Sequence, residues 1–220
     1  MHLKLLSTLF VAASLSGCIV HVGGDYRDKP GSSVSTVLGG IDIDEGHSVG
    51  DLSTVNGGIE LASNVIARDV DTVNGGIEMG DNVTIEDASV VNGDIEAGTN
   101  LHVNGDVTTV NGDVNFESGA NIKGNIETVN GDIQLTGATV GRDITTHNGD
   151  IELADATVVK GNIIWEKRDD DSWLRNDNIP RLRISADSVV EGEIMLYREV
   201  ELILENASLN DKVRRLYSDE

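Results

Sequence analysis

One short segment recurs along the chain and limits the folds that are available to it. The residues from Thr54 to Glu60 read Thr-Val-Asn-Gly-Gly-Ile-Glu, and close copies follow at regular intervals. The glycine in the middle of each copy is Gly39, Gly57, Gly75, Gly93, Gly112, Gly131 or Gly149. Successive copies are therefore 18 or 19 residues apart. A period of that length through most of a chain is typical of a solenoid.

The residue types indicate that the solenoid is built from β-strands. Val, Ile, Thr, Gly, Asn and Asp dominate the repeats, and aromatic residues make up only 3% of the chain. Such a composition suits short stacked strands joined by tight turns. Helical repeats need about 33 residues per unit, so the observed period is too short for them. We predict an all-β parallel β-solenoid of about nine coils, right-handed because parallel β connections almost always are.

The spacing of the apolar residues divides the chain into segments. One side of each coil is marked by apolar pairs seven residues apart. The pairs are Val34/Ile41, Leu52/Ile59, Val70/Ile77, Ala88/Ile95, Val107/Val114, Ile126/Ile133 and Ile144/Ile151. The regular repeats thus occupy 34–163. Between Ile163 and Leu182 the same alignment leaves 12 extra residues, which predicts an inserted loop at 164–181. Final coils and a C-terminal cap follow at 182–220.

A left-handed hexapeptide helix is the main alternative, because it also has about 18 residues per coil. Counted from Ile59, the apolar residues fall at offsets of 2, 6, 11, 14 and 18, which are Leu61, Val65, Val70, Val73 and Ile77. These offsets do not fit a six-residue grid. The acyltransferase function that is common on that fold therefore loses its main support.

Asparagine recurs at one corner of the predicted coil. The residues are Asn56, Asn74, Asn92, Asn111, Asn130 and Asn148, with a Thr column and a Val column just before them. Asn followed by Gly suits a tight corner, and stacked Asn side chains can pass hydrogen bonds from coil to coil. We predict a structural turn ladder along this corner.

Acidic residues form two further columns. The stronger candidates for cation contacts are Glu60, Glu78, Glu96, Asp94, Asp113 and Asp132. Carboxylates about 4.8 Å apart repel one another and attract cations. We therefore predict no cofactor beyond weak Ca²⁺ or Mg²⁺ binding, with a purely solvated acidic face as the alternative.

The N-terminal residues predict a lipoprotein. Residues 1–17 have the layout of a secretory signal peptide, with a basic start and an apolar run that is too short to span a bilayer. Leu15-Ser16-Gly17-Cys18 resembles the lipobox, which implies acylation of Cys18, the only cysteine of the protein. Residues 18–33 would then be the lipidated Cys and a short tether. Ile19 after the Cys favours the outer membrane by the same resemblance.

The charge excludes some partners. The formal net charge is −22, so a nucleic-acid partner is not expected, because phosphate contacts need clustered Lys and Arg. Electrostatic adsorption to anionic lipid is disfavoured for the same reason.

The inserted loop contains both tryptophans of the chain. Trp165 and Trp173 stand beside mixed charges, and we predict that their rings stack on a sugar or on a partner, or else cover a flank of the solenoid. No catalytic residue is predicted. His147 interrupts the Val column and is interpreted as a tolerated corner residue.

The repeated Val-Asn-Gly-Asp-Ile and Val-Asn-Gly-Gly-Ile units, preceded by the lipobox, resemble the bacterial adhesin-type family of β-strand repeats, known mainly as a domain of unknown function. The bactofilins, which form polymers, are a more distant likeness. The resemblance covers residues 34–163 and, more weakly, 182–213. It implies a right-handed β-solenoid at the cell envelope and no established catalytic residues.

These observations predict a non-catalytic, lipid-anchored solenoid of the bacterial cell envelope with a structural, adhesive or scaffold role. Its partners would be the membrane, through the lipid, and an envelope glycan or protein. Two alternatives stay open. One is a polysaccharide-binding or polysaccharide-acting protein that uses the 164–181 loop, and the other is a solenoid that self-associates into a polymer.

Overall fold

The predicted parallel β-solenoid is confirmed. A computed structural model describes residues 20–22, 31–167 and 179–217 of the chain, and its strands stack into about nine coils. Three sheets run along the stack, two with ten strands and one with six. Each coil contributes one strand to each of the longer sheets, so a section through the solenoid has three sides.

The strand bounds follow the repeats. Sheet A consists of Val20–Val22, Ile41–Ile43, Ile59–Leu61, Ile77–Met79, Ile95–Ala97, Val114–Phe116, Ile133–Thr136, Ile151–Ala154, Arg181–Ile184 and Glu201–Leu204. Sheet B consists of Val34–Leu38, Leu52–Asn56, Val70–Asn74, Ala88–Asn92, Val107–Asn111, Ile126–Asn130, Ile144–Asn148, Ile163–Trp165, Ile194–Leu196 and Val213–Arg215. Sheet C consists of Thr84–Ile85, His102–Val103, Asn121–Ile122, Thr139–Val140, Val158–Val159 and Val189–Val190.

The invariant spacing of seven residues is the step from the first residue of a sheet B strand to the first residue of the next sheet A strand. Leu52 pairs in register with Val70, and Ile59 pairs in register with Ile77. A one-residue slip would turn the interior side chains outward, so the side that carries this corner keeps a constant length. The variable side passes through sheet C, whose strands have only two residues.

Each side of the coil supplies two interior residues that are separated by one outward residue. In one coil these pairs are Leu52 with Thr54, Ile59 with Leu61, and Val65 with Ala67, all buried. The offsets from Ile59 to the interior positions of the following turn are therefore 2, 6, 8, 11 and 13. The sequence pattern had Val73 at offset 14, but Thr72 takes the interior position and Val73 faces outward.

Threonine occupies the interior because its hydroxyl has a partner there. Thr54 Oγ1 donates to the Gly39 carbonyl oxygen at 3.0 Å, and Thr72 Oγ1 donates to the Gly57 carbonyl oxygen at 2.9 Å. A buried hydroxyl is tolerated when it is hydrogen-bonded. The Thr column thus links sheet B to the backbone of the corner.

The corner glycines are needed because successive coils approach closely there. A Cβ atom on Gly112 would overlap the carbonyl oxygen of Gly93, the equivalent glycine of the preceding coil. Gly75 and Gly93 also have positive φ angles of 152° and 149°, which side chains disfavour.

The C-terminal end of the solenoid is partly covered. A 3-10 helix, Ala207–Lys212, stands where the last coil would otherwise place a sheet C strand. Leu209 of this helix is buried, and the partly buried Tyr217 packs against the core. None of the described helical segments has the length and apolar character needed to cross a bilayer.

Candidate functional site

The predicted asparagine ladder is present on the corner between sheets B and A. Each Asn donates from Nδ2 to the Oδ1 atom of the preceding one. The distances, from Asn74 onward through Asn92, Asn111, Asn130 and Asn148, are 3.1, 3.0, 2.9, 2.9 and 3.0 Å. Asn56 starts the ladder by donating to the Val37 carbonyl oxygen at 3.3 Å. All six residues therefore take part in a hydrogen-bonded ladder that links successive coils.

The ladder ends at an arginine that the sequence pattern did not single out. Arg198 Nη1 donates to Asn148 Oδ1 at 2.7 Å and to the His147 carbonyl oxygen at 2.9 Å. The guanidinium group thereby satisfies the last free acceptor of the ladder.

The expectation that Trp165 binds a ligand is wrong. Its side chain is fully buried, and it pairs in register with Thr146 on one side and Leu196 on the other. Its indole Nε1 donates to the Gly149 carbonyl oxygen at 3.3 Å, as the Thr hydroxyls do in earlier coils. Trp165 therefore occupies the interior Thr column, where no external ring can stack on it. Trp173 and Cys18 lie outside the described residues.

The acidic column of sheet A faces outward. Glu60, Glu78 and Glu96 are exposed, and Asp42 precedes them in register. Beside this column lie the corner residues Gly40, Gly58, Gly76 and Asp94, and the small corner glycines leave an open groove of about 500 Å³. The result is a shallow acidic channel along the first four coils.

The second acidic column consists of Asp94, Asp113, Asp132 and Asp150, and its carboxylates form hydrogen bonds between coils. Asp94 Oδ1 accepts a hydrogen bond from the backbone N–H of Asp113 at 2.8 Å, and Asp113 Oδ1 accepts from Asp132 N–H at 2.7 Å. Asp132 and Asp150 continue the chain, which ends at the N–H of Arg181. Across the described residues, no three His, Cys, Asp or Glu side chains converge as a metal site requires. The carboxylates of this second column bind backbone amides of the next coil.

A further carboxylate cluster lies at the corner that precedes sheet B. Burial raises the pKa of Asp71, and the nearby Asp69 raises that pKa further. Burial also raises the pKa of Asp69, followed by the charges of Asp51 and Asp87. Arg68 partly compensates, since its Nε lies 2.9 Å from Asp51 Oδ1. These acids repel one another, and the cluster is a local cost to stability.

Two other hydrogen-bonded ladders are present that the sequence analysis did not predict. Asn64, Asn82 and Asn100 adopt left-handed φ angles of 63°, 57° and 60°. Asn82 Nδ2 donates to Asn64 Oδ1 at 3.4 Å, and Asn100 Nδ2 donates to Asn82 Oδ1 at 3.2 Å. Before sheet B, Asp106, Asn125, Asp143 and Asn162 each provide Oδ1 to a backbone N–H of the next coil. Members of both sets recur every 18 or 19 residues, and those of the second set stand directly before the first residue of a sheet B strand. This recurrence is the signal that could have identified them.

Two buried side-chain atoms have no hydrogen-bond partner among the described residues, Thr146 Oγ1 and His147 Nδ1. Both belong to the strand that precedes Trp165. The larger indole in the next coil replaces the Thr that this column otherwise contains, at the same point where His147 interrupts the Val column.

A protein-family model, described as Toastrack DUF4097, matches residues 53–171, which is more than half of the chain. The chain belongs to the Toastrack family. This is a domain family of unknown function, and the matched region covers the regular coils from strand Leu52–Asn56 to strand Ile163–Trp165 of the Toastrack solenoid described above. No curated protein and no solved structure matches the chain. The coils after residue 171 extend the same sheets beyond the matched region.

Proposed function

We propose that this Toastrack protein is a non-catalytic, lipid-anchored rod of the bacterial cell envelope, with a scaffold or adhesive role. The observation that carries the proposal is the run of side-chain ladders from coil to coil, which links each coil to its neighbours. Solenoids of this kind are extended, and each repeat contacts only the adjacent ones. Such a rod is suited to act as a spacer or to display a binding surface.

The position of the anchor supports the same proposal. Strand Val20–Val22 pairs in register with Ile41–Ile43, so the first strand of sheet A begins two residues after Cys18. A diacylglycerol group on Cys18 would then be joined almost directly to the solenoid, within about 7 Å of chain. The rod would therefore follow the orientation of its anchor closely. Because Ile19 follows the Cys, we propose that the anchor lies in the outer membrane.

The acidic channel supports a role in display more than in adsorption. Asp42, Glu60, Glu78 and Glu96 give one face of the rod a continuous negative charge, which repels anionic lipid and attracts basic surfaces. A basic protein or an amine-bearing glycan of the envelope is the class of adhesive partner that fits this face.

Metabolic labelling with an alkyne analogue of palmitate tests the anchor. We expect full-length protein to take up the label and to stay with the membrane fraction after a high-salt wash. Cys18→Ser should lose both properties, whereas Ser32→Ala, outside the lipobox motif, should keep them. An unlabelled wild-type protein would refute the anchor.

The rod role is tested in a strain whose envelope phenotype depends on this protein. The outward side chains of one coil at a time are replaced by Ser, and the melting temperature is measured for each variant. For a scaffold we expect every folded variant to rescue the phenotype at least partly. A single coil whose replacement abolishes rescue, while the fold stays intact, would instead identify a localised catalytic or binding site and contradict the scaffold role.

A further inference from the structure

The outward face of sheet B carries fewer charges than the first regular strands of the neighbouring sheet A. Its first seven strands, all of them described, present two outward columns, one of Ser, Thr, Asp and Glu and one of Val ending in His147. Asp71 and Glu127 are the only charged residues in those columns, in a chain of net charge −22. The neighbouring sheet A, by contrast, has an acid at every outward position of Ile41–Ile43, Ile59–Leu61, Ile77–Met79 and Ile95–Ala97.

The Val column on this face is partly exposed to solvent. Val91 and Val110 are 40% and 36% exposed, and Leu38 beside the start of the column is 48% exposed. Val37, Val55, Val73 and Val129 are exposed to an intermediate degree. Six valines in register, one per coil, form a straight apolar stripe, and contiguous apolar stripes of this kind mark interaction surfaces.

We propose that this sheet B face binds a second copy of the same chain, with the two rods side by side and in the same direction. The parallel direction rests on the proposed lipid anchor, since two copies in one membrane have their N-terminal ends at the same level. The sheet B contact itself rests only on the charge and shape of the face.

The low charge of the sheet B face favours it for contact between identical chains. Two copies that met through sheet A would bring rows of carboxylates together, and like charges at close range cost free energy. Contact through sheet B leaves both acidic channels on the outside of the pair. A basic partner would instead prefer the acidic faces, so the neutral face fits a second copy best.

The two-fold symmetry of such a pair gives matching surfaces. A symmetry axis along the Val column places each valine against its own counterpart. The column that contains Ser53, Asp71 and Ser89 then lies on the side of the partner's Asn ladder, where amide groups can donate to Asp71. Asp71 and Glu127 therefore do not meet their own copies.

The size of the face indicates a weak complex. Seven strands of five residues span on the order of 30 Å by 17 Å. Two such faces would bury roughly 1,000 Å² in total, the lower limit for a specific complex. Association in dilute solution should therefore be weak, and confinement to a membrane would favour it through a high local concentration.

Cysteine cross-linking of the full-length protein in its own membrane tests the proposal. Val55→Cys, Val91→Cys and Val129→Cys are compared with Glu60→Cys and Glu96→Cys, which lie in the same coils on sheet A. Wild-type protein, with Cys18 alone, gives the background. With a short bis-maleimide, all three Val variants should yield a product of twice the monomer mass, and the Glu variants should yield no more than background.

A second variant checks that the stripe causes the contact. Adding Val73→Glu and Val110→Glu to Val91→Cys should reduce the cross-link at least several-fold while the melting temperature changes little, because these side chains face outward.

Equal products from sheets A and B, no product from any Val variant, or a product with the mass of another protein would each overturn the second-copy proposal. A product from Val91→Cys alone would overturn the parallel direction. Failure of palmitate labelling would refute the anchor without altering the test of the face.

Discussion

At the scale of single residues, Asp71 is the position where the sequence conflicts most clearly with the fold. It stands in an outward column of sheet B between Ser53 and Ser89, and burial followed by Asp69 raises its pKa. The folded state therefore binds the proton of Asp71 more tightly than the unfolded state does. The ionised carboxylate destabilises the fold at a pH above the raised pKa, and this cost disappears below the ordinary Asp pKa.

Asp71→Asn should accordingly raise the melting temperature at pH 7, with a gain on the order of 0.5 kcal/mol, because it removes a partly buried charge that also lies close to other carboxylates. The gain should shrink as the pH falls and vanish near pH 3. Glu127→Gln is the matched control, since Glu127 has the same column position between Thr108 and Thr145. An equal gain for both variants, or a gain at pH 3, would contradict this account. Thermal melts followed by circular dichroism provide the measurement.

Trp165 is the residue whose role the sequence misassigned. With its indole fully buried and hydrogen-bonded to the Gly149 carbonyl oxygen, Trp165 should fluoresce at short wavelength and resist quenching by acrylamide. The Trp173→Phe variant leaves Trp165 as the only tryptophan and makes this measurable. Envelope glycans should not change that emission. A red-shifted, easily quenched spectrum would show that Trp165 is accessible after all.

At the scale of the structural element, the Asn ladder links six successive coils through their side chains. Asn111 lies in its middle, where it donates to Asn92 Oδ1 and accepts from Asn130 Nδ2, both at 2.9 Å. Asn111→Ala removes both bonds and should cost about 1–2 kcal/mol of unfolding free energy. Asn115→Ala, on the exposed column of sheet A four residues later, should cost much less. Urea denaturation of the two variants compares them, and equal losses would mean that the ladder adds no stability.

The parts of the fold that recur at a fixed spacing could be predicted from the sequence. The strict spacing predicts the coils, the corner of constant length and the Asn ladder, because a parallel stack repeats the environment of each residue in every coil. Periodicity does not state which of two adjacent columns faces inward. Thr72 and Val73 both recur, and hydrophobicity alone favours Val73 for the interior. The structure buries Thr72 instead, because its hydroxyl donates to a carbonyl oxygen at the corner.

The candidate site was harder to predict for a related reason. Trp165 follows the last regular landmark, Ile163, so the spacing places it in the inserted loop. The structure continues the sheet B strand through Trp165, and the indole replaces Thr as the donor. Acidic columns posed the same difficulty, because a sequence shows that Asp113 and Asp132 recur but not that their carboxylates bind backbone amides.

At the scale of the whole molecule, the solenoid predicts tolerance to the loss of one complete coil. Removing Val70–Asp87 takes out 18 residues and joins Asp69 to Ala88, which is the register partner of Val70. The shortened chain should fold, with a β-type circular dichroism spectrum, a cooperative melt and a rod shorter by about 4.8 Å in small-angle scattering. Removing only Val70–Glu78 joins the corner before sheet B to Met79, the last residue of a sheet A strand, and breaks the register. That half-coil variant should lose the cooperative melt, because a shifted coil turns its interior side chains outward. If the half-coil variant folded as well as the one-coil variant, stacking in register would not be what specifies this structure.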